Sequence, residues 1–578
     1  MLNILPLIRR VLFCLLFLGL LGFLNRAIVE AVENFYTFGV DARKPYVVAE
    51  YHNWYLGPPD YAGDERSKWL SQTAYDPWLS YNLPEYNNGE YGYFSGDPEV
   101  IQQHVDWAKW YGIDAFAVNY HFEWNYTETQ VLPNWAQITE QKNIPWYFVP
   151  EWFAYMCWTD VSGNKDQSCL QSQSGMEDWL VARIEKMNQT HFKKDIYLKY
   201  KDRPLIEFWA ANHPFYQYDP SMTKSVDLTS FWKNVRSKLK QKGIDIFTIC
   251  QIEDTEICDL YGTYGLPGDY TVADLTITNE EFEAQALGNT SKIYQRLKSA
   301  GIPYAKMVET SFDDRIIRGQ NRAYIPITQN LLRKSWELGF GLGDSGTNLV
   351  VLASFNEWWE SRIAEPCNEY GAMILEELAR LISSTCGANC HKYSFQNDPF
   401  PSSVQKGKDV VVTFKVKNEG LDDWINEGPF FYDLSVYTGG NKENRVAYAL
   451  LSKAVEPGET VTLNVTIPGS VFAEEGKVKL TADLVHEGVT WFEWQGSIPL
   501  TKEVTIVSSS CSSCPADKPA KSLGNANCDG QVDPLDYSIW AKEYSKIGDV
   551  NILRADFNCD GQVSGLDYNV LLRNISWQ

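Results

Sequence analysis

Between residues 45 and 385, short apolar runs alternate with stretches in which apolar residues recur three and four positions apart. The first pattern is typical of strands buried on both faces, and the second is typical of amphipathic helices. The apolar runs predict eight strands, at residues 46–51, 113–120, 144–151, 204–209, 244–251, 270–277, 302–309 and 348–355, of which the sixth has the weakest pattern. Helices are predicted at residues 98–111, 176–192, 228–241, 280–300, 327–338 and 370–383. Eight strands mostly followed by helices indicate a (β/α)₈ TIM barrel. An open doubly wound sheet is the alternative, but no glycine-rich phosphate loop follows the first strand.

Residues 393–507 show a different pattern, in which apolar and polar residues alternate. Turn signals such as Gly439-Gly440 and Pro457-Gly458 separate the alternating runs at residues 410–417 and 460–467, which predicts an all-β sandwich. The stretches KNEGLDDW, PGETVTLNVTIP and WFEW resemble the Ig-like sandwich modules appended to secreted enzymes. Trp491 and Trp494 of the last stretch either pack at an edge, which is the interpretation we favour, or bind sugar.

A motif occurs twice near the end of the chain, as NANCDGQVDPLDY at residues 525–537 and as DFNCDGQVSGLDY at residues 556–568. Each copy places oxygen-bearing residues at loop positions 1, 3, 5, 9 and 12 and glycine at position 6, the spacing with which EF-hand-type loops hold calcium. The predicted side-chain ligands are Asn525, Asn527, Asp529, Asp533 and Asp536, then Asp556, Asn558, Asp560, Ser564 and Asp567, with backbone carbonyls from Gln531 and Gln562. Gly530 and Gly561 permit the sharp turn.

The duplicated module at residues 523–578 resembles a type I dockerin, a small α-helical domain in which one helix follows each calcium loop. The resemblance implies structural Ca²⁺ and a cohesin-type scaffold protein as partner. Loop positions 10 and 11, which usually carry small hydroxyl residues that touch cohesin, are Pro534-Leu535 and Gly565-Leu566 here. Cys528 and Cys559 occupy the same position in the two loops, and we hypothesise that they pair. Residues 508–522, rich in Ser, Cys, Pro and Lys, form a linker ahead of the module.

The first residues indicate export. Arg9 and Arg10 precede an apolar run at residues 11–24, and Ala31 offers a small residue for cleavage. Because this run is short for a membrane span of about 20 residues, we expect residues 1–31 to be a secretory signal peptide. An uncleaved membrane anchor is the alternative. We expect the protein to contact a membrane only if this segment stays uncleaved. Cysteines in near pairs, at 157/169, 250/258, 386/390 and 511/514, agree with export, although their connectivity stays open. The expected location is therefore extracellular, with attachment to the cell surface left open.

Composition narrows the class of ligand. The net charge of −23 makes nucleic acid a poor partner, because no basic patch is available to face phosphates. Aromatic residues make up 14% of the chain, and their flat faces suit the apolar faces of sugars. A rich aromatic core would give the same composition.

Active sites of TIM barrels form at the C-terminal ends of the strands. Candidate substrate-binding residues at those ends are Tyr51, Trp54, Asn119, His121, Glu151, Trp209, Glu309, Asp313, Arg315, Asn356 and Trp359. Glu357 and Glu360 of the stretch SFNEWWE lie three positions apart after the eighth strand. If a helical turn follows the strand, their side chains lie about 5 to 6 Å apart, near the carboxyl separation of about 5 to 5.5 Å in retaining glycosidases. We predict that they form a catalytic pair, and a surface pair on the last loop is the alternative.

Four stretches together carry a more specific resemblance: AEYHNWYLGP, YFSGDPEVIQQHVDWAKWYGIDAFAVNYH, ETSFDDRIIRG and SFNEWWE, in this order. Most of residues 45–366, within the domain predicted at residues 45–385, is similar to glycoside hydrolase family 99, whose members are (β/α)₈-barrel endo-α-mannosidases. The resemblance implies that Glu357 deprotonates the sugar 2-hydroxyl, which attacks the anomeric carbon to give a 1,2-anhydro sugar. It implies that Glu360 acts as acid and then as base, with no cofactor in catalysis. Many relatives carry Y-Y-P-W-Y-G where this chain has Tyr51-His52-Asn53-Trp54-Tyr55, which leaves open whether the glycan is the family's usual α-1,2-linked mannose branch.

These observations predict a secreted, retaining endo-glycoside hydrolase that acts on an α-linked, mannose-containing oligo- or polysaccharide and is attached to a scaffold or surface by its last module. A sugar-transferring barrel is one alternative, which export argues against because activated sugar donors are cytoplasmic. A non-catalytic carbohydrate-binding surface protein is another, and the presence of both Glu357 and Glu360 argues against it.

Overall fold

The structure is a computed structural model of the chain. It describes residues 36–53, 55, 95–120, 122, 127–150, 156–157, 159, 164–212, 226–262, 277–315, 323–358, 360–367, 370–507, 523–545, 554–557 and 562–575. The predicted signal peptide and linker lie outside these residues. The chain divides into two compact units, Met1–Cys390 with Glu427–Phe430, and His391–Asn426 with Phe431–Gln578. Within the described part of the chain, no helix has the length and apolar character that a membrane crossing needs.

The described part of the first unit has eleven strands, seven of which follow the predicted apolar runs closely. They are β1 (Tyr46–Tyr51), β2 (Ala115–Tyr120), β3 (Trp146–Pro150), β4 (Lys199–Tyr200), β5 (Arg203–Phe208), β6 (Phe247–Cys250), β7 (Leu260–Tyr261), β8 (Lys306–Glu309) and β9 (Leu349–Ala353), with a hairpin of β10 (Asn356–Glu357) and β11 (Arg362–Ile363) beyond them. Eight of these strands are parallel neighbours in the order β7-β6-β5-β3-β2-β1-β9-β8, and β4 is an antiparallel partner of β5.

The barrel closes between β7 and the start of β8. Tyr261 N–H donates to the carbonyl oxygen of Pro303, and Ala305 N–H donates to the carbonyl oxygen of Tyr261, both at 2.9 Å. Because the parallel bridge between Tyr261 and Tyr304 joins the two ends of the strand path, the eight parallel strands form a ring in chain order. The predicted TIM barrel is confirmed.

Helices lie between the barrel strands. They are α1 (Pro98–Trp110), α2 (Leu132–Lys142), α3 (Gln167–Leu170), α4 (Gln173–Thr190), α5 (Leu228–Gln241), α6 (Asn279–Ala300), α7 (Gln329–Gly341) and α8 (Met373–Cys386). Their ends follow from local sequence. Thr278 and Glu281 form a capping box at the start of α6, and Gly301 ends it in the left-handed region at a φ of 67°.

Two details of the barrel differ from the sequence-based prediction. The sixth parallel strand is β7, whereas the prediction put it at residues 270–277, most of which lie outside the described residues. Two residues are too short to show a hydrophobic period, and β7 is recognisable only from its pairing with β6 and its bridge to Tyr304. Helices α2 and α3 were not predicted.

The second unit begins with the predicted sandwich. Its strands are β12 (Tyr393–Phe395), β13 (Ser403–Gln405), β14 (Val410–Asn418), β15 (Tyr432–Thr438), β16 (Arg445–Leu450), β17 (Thr460–Ile467), β18 (Gly476–His486), β19 (Thr490–Trp491) and β20 (Leu500–Val507). One sheet has the order β12-β14-β17, and the other has the order β13-β20-β18-β15-β16 with β19 beside β18. Buried and exposed residues alternate along β17, which is what packing one face on a core requires.

The two sandwich tryptophans lie beside a lysine. Lys442 Nζ lies 4.4 Å from the ring centre of Trp491 and 5.7 Å from that of Trp494. It also forms ion pairs with Asp483 (2.9 Å) and Glu493 (2.7 Å). Lys442 thus makes cation–π contacts with both rings, and Trp494 is 66% exposed.

The last module has one helix after each predicted loop, α9 (Pro534–Glu543) and α10 (Gly565–Asn574). Its small core includes Val532 and Ile539 of the first copy and Val563 and Leu571 of the second. Among the near pairs of cysteines, Cys157–Cys169, Cys250–Cys258 and Cys386–Cys390 are disulfides. Cys528 is disulfide-bonded, and its hypothesised partner Cys559 lies outside the described residues, as do Cys511 and Cys514.

Candidate active site and metal loops

The hairpin after the eighth barrel strand carries both candidate catalytic glutamates. Glu357 in β10 lies opposite Arg362 in β11, so the expected helical turn is wrong. The reason is local: the Ser354 hydroxyl donates to the Arg362 carbonyl oxygen (2.5 Å) and accepts from Glu357 N–H (2.8 Å), which ties the limbs together. Glu357 is buried, whereas the Glu360 side chain is 17% exposed.

Asn356 joins this hairpin to the loop after the first strand. Its Oδ1 accepts from His52 N–H (2.8 Å), and its Nδ2 donates to the His52 carbonyl oxygen (2.9 Å). The Tyr55 hydroxyl adds a bond to the Asn356 carbonyl oxygen (2.8 Å) and accepts from Trp358 N–H (3.2 Å). These bonds bring His52 Nδ1 to 3.4 Å from Glu357 Oε2. Asn356 was predicted to bind substrate. In the structure, its Oδ1 and Nδ2 atoms both form hydrogen bonds with the backbone of His52.

Arg362 lies beside Glu360 and is almost completely buried. Its Nε is 3.5 Å from Glu360 Oε2 and 3.9 Å from Glu309 Oε1. Burial, followed by the charge of Arg362, lowers the pKa of His52 to about 3, so the imidazole is neutral at pH 7. The Glu360 backbone is held as well, because Asp313 N–H donates to its carbonyl oxygen at 2.7 Å.

The barrel interior contains two buried glutamates that the sequence analysis missed. Side chains alternate along β1, and Tyr51 faces the helices, so Glu50 faces the interior. The Tyr147 hydroxyl donates to Glu207 Oε2 at 2.9 Å. Burial raises the pKa of Glu207 to about 7. Burial, followed by the charge of Glu207, raises the pKa of Glu50 well above its ordinary value. A single carboxyl inside an apolar run, as in YVVAEY, is the signal that would have found them.

A buried polar chain supports the hairpin from behind. Trp358 Nε1 donates to Glu365 Oε2 (2.8 Å), Glu365 Oε1 lies 3.0 Å from His104 Nε2, and His104 Nδ1 lies 2.9 Å from the Tyr51 hydroxyl. All four residues are buried. Tyr51 was predicted to bind substrate, and its position between the barrel wall and α1 argues against that contact.

The other predicted substrate-binding residues have varied positions. Asn119 lies near the end of β2 and is almost completely buried, Trp209 is half-buried after β5, and Glu309 is completely buried at the end of β8. Arg315 Nε and Nη2 pair with the carboxylate of Asp313, at 2.8 and 2.6 Å. Trp54, His121, Glu151 and Trp359 lie outside the described residues. Contacts between described residues thus bring Glu309, Asn356, Glu357 and Glu360 to one place.

The two predicted calcium loops share one hydrogen-bond pattern. At position 12 of the first loop, Asp536 accepts from Ala526 N–H (2.7 Å) and Asp533 N–H (2.9 Å). At position 12 of the second loop, Asp567 accepts from Phe557 N–H (2.7 Å) and Ser564 N–H (2.8 Å). In both loops, the carboxylate at position 12 therefore accepts hydrogen bonds from the backbone N–H groups of positions 2 and 9. Asn558 and Asp560 lie outside the described residues.

The donor set of the first loop fits a hard cation. Gly530 has a φ of 108°, so the chain turns at loop position 6 as predicted. Asn525, at position 1, and Asp536 are completely buried, and burial raises the pKa of Asp536. A cation bound to oxygen ligands would offset this cost of burying a carboxylate.

The comparison with family models agrees with the resemblance of the last module. Residues 523–576 match the family model of the dockerin type I domain. The GH99 endo-α-mannosidase from Bacteroides thetaiotaomicron is 14% identical, with a TM-score of 0.40, and the match covers 59% of this chain and 97% of that one. Its complex with bis-tris-propane is 15% identical, with a TM-score of 0.41 and the same coverage. The CARDB domain of PF1109 from Pyrococcus furiosus, in complex with di-metal ions, is 19% identical, with a TM-score of 0.14, over 20% of this chain and 84% of that one. No curated protein matches the sequence.

Proposed function

We propose that the barrel is a retaining endo-glycoside hydrolase that cleaves α-linked, mannose-containing glycans. The observation that carries the proposal is the hairpin at the C-terminal end of the barrel, which holds a buried Glu357 and a partly exposed Glu360. Glycoside cleavage needs one carboxylate that takes a proton and one carboxyl that gives a proton to the leaving oxygen. The hairpin supplies both carboxyl groups at one place.

In the proposed reaction, Glu357 takes the proton of the sugar 2-hydroxyl while O2 attacks the anomeric carbon. The glycosidic bond breaks, and Glu360 gives its proton to the leaving oxygen. Water then attacks the anomeric carbon of the 1,2-anhydro sugar, and the bond between that carbon and O2 breaks. Glu360 takes a proton from the water, and Glu357 returns its proton to O2. The α configuration is thereby retained.

The charges around Glu360 are compatible with an acid. One guanidinium, that of Arg362, lies near the carboxyls of both Glu309 and Glu360. If Glu360 holds a proton, Arg362 remains paired with Glu309, and this buried group is neutral. Once Glu360 has given its proton away, Arg362 stabilises the new carboxylate.

The test is cleavage of a panel of α-mannans and mannosylated glycans, with product size and anomeric configuration as readouts. We expect Glu357→Gln and Glu360→Gln to abolish cleavage and to leave glycan binding intact. Glu256→Gln, a change of the same chemistry at an exposed side chain, is the control and should be fully active. Undiminished turnover in either catalytic variant would overturn the proposal. Binding without cleavage by the unmodified protein would favour a carbohydrate-binding surface protein.

We further propose that the protein is exported and that its dockerin module, loaded with Ca²⁺, attaches the enzyme to a cohesin-type scaffold. Leu535 and Leu566, at position 11 of the two loops, are 56% and 61% exposed. They would offer the partner apolar contacts where hydroxyl residues are usual. Titration of the secreted protein with a cohesin domain, with and without a chelator, tests this attachment. The absence of calcium-dependent binding would contradict it.

A further inference from the structure

His52 lies against the proposed catalytic base. Its Nδ1 is 3.4 Å from Glu357 Oε2, and both side chains are buried. The backbone of His52 is held on both sides by the carboxamide of Asn356. Because Asn356 directly precedes Glu357 in the hairpin, one residue fixes both members of the contact.

We propose that His52 is a positioning residue that donates its Nδ1–H to the Glu357 carboxylate, and so holds the base oriented and ionised. This inference rests on the proposed function. An ionised carboxylate offers only acceptors, so the contact requires the hydrogen to be on Nδ1. The distance is long for a finished hydrogen bond, and such contacts commonly shorten when substrate binds.

The imidazole itself does not titrate in the working range, because its pKa is lowered to about 3. A pH effect of changing His52 would therefore report the ionisation of Glu357. Among the described residues, four other charged or titratable groups interact electrostatically in one cluster with Glu357: Glu50, Glu207, Glu309 and Arg362. Arg362 also lies beside Glu360. None of them is altered in the variants below.

The kinetic test uses a matched pair of variants on an α-mannan substrate. His52→Phe keeps an aromatic ring and removes the donor, and His52→Asn restores an N–H donor two bonds from Cβ, where Nδ1 lies in histidine. We expect His52→Phe to raise the pKa of the acid limb of kcat/KM by about one unit and to lower kcat about tenfold. His52→Asn should restore both. If both variants lose kcat equally and the acid limb of kcat/KM does not shift, His52 contributes only packing, and the inference is overturned.

A second measurement does not depend on substrate. If His52 donates to a carboxylate, its contribution to stability is present above the pKa of Glu357 and fades as pH falls through that pKa. The decrease in barrel Tm caused by His52→Phe should therefore be larger at pH 7 than at pH 4, and it should not vary with pH in a Glu357→Gln background. His52→Leu, which also removes the donor, provides the same comparison if His52→Phe does not fold.

The outcomes separate this inference from the proposed function. If no α-linked glycan is cleaved, the proposed function fails, and the Tm cycle still decides whether His52 contacts an ionised Glu357. If Glu357→Gln abolishes cleavage while His52→Phe changes neither the acid limb nor the pH dependence of Tm, the proposed function stands and the inference about His52 is wrong.

Discussion

The side-chain amide of Asn356 forms hydrogen bonds with both the N–H (2.8 Å) and the carbonyl oxygen (2.9 Å) of His52. A second asparagine does the same at the other end of the barrel. Asn348 Oδ1 accepts from Phe38 N–H (2.9 Å), and its Nδ2 donates to the Phe38 carbonyl oxygen (2.8 Å). Asn348 directly precedes β9, and Asn356 follows it after two residues. The same clamp thus secures both ends of one strand, and only one end faces the proposed chemistry.

This duplication gives a controlled test of the clamp. Asn356→Ala and Asn348→Ala should each lower the free energy of unfolding of the barrel by about 1 to 3 kcal/mol, because each leaves buried backbone groups without partners. Only Asn356→Ala should also lower kcat, by about tenfold or more, since it releases His52 and Glu357 from their common support. Calorimetry and turnover of an α-mannan measure the two effects. Equal kcat losses in both variants would mean that the clamp acts through stability alone.

Most of the barrel could be predicted from the sequence because its strands are buried on both faces. The run at residues 348–355 predicted β9, and the helix at residues 228–241 has the predicted bounds. The strand β7 could not be predicted in this way. Its two residues belong to the barrel through backbone bonds to Pro303 and Ala305, which are far away in the sequence. Such pairing leaves no local hydrophobic period.

The candidate site was predictable in its residues and less so in their roles. Glu357 and Glu360 attract notice because two carboxyls follow a buried strand, but their spacing suggested a helical turn where a hairpin forms. Arg362 was not singled out, because a lone arginine in a loop is usually solvated, and here it is almost completely buried beside two carboxyls. Contacts across the barrel decide these roles, and a single sequence does not contain them.

Glu365 should support both stability and catalysis. Its two carboxylate oxygens contact Trp358 Nε1 and His104 Nε2, and an amide nitrogen in place of one oxygen could not accept a hydrogen bond. We expect Glu365→Gln to lower the free energy of unfolding by about 1 to 3 kcal/mol and to reduce kcat, because Trp358 adjoins Glu357. Glu177→Gln is the matched control. That buried carboxyl also accepts from several donors, but it belongs to α4, so its loss should lower Tm and leave kcat unchanged.

Glu207 should make the barrel less stable as pH rises. Its pKa is about 7 in the folded chain, raised from 4.5 by burial, so the folded state binds more protons than the unfolded state between these values. The stability that comes from the proton is complete below pH 4.5 and is lost as pH rises through about 7, a loss of about 3 kcal/mol. Glu207→Gln should therefore flatten the decline of barrel Tm between pH 5 and pH 8. Tyr147→Phe should steepen it, because the Tyr147 hydroxyl donates to the ionised form. Parallel curves for the two variants and the parent would contradict this origin.

Calcium should control the dockerin module without controlling hydrolysis. A chelator should unfold residues 523–578, because the buried Asp536 and Asp567 would lose the cation that offsets their charge. Limited proteolysis should then cut the module and spare the barrel, and hydrolysis of an α-mannan should continue at its former rate. Asp536→Asn should weaken the calcium dependence, because a ligand charge is lost while an oxygen remains. Asp398→Asn, an exposed change in the sandwich, should have no such effect. None of the proposed chemical steps uses a metal ion. A loss of hydrolysis on chelation would therefore contradict the prediction that calcium acts on the module and not on the barrel.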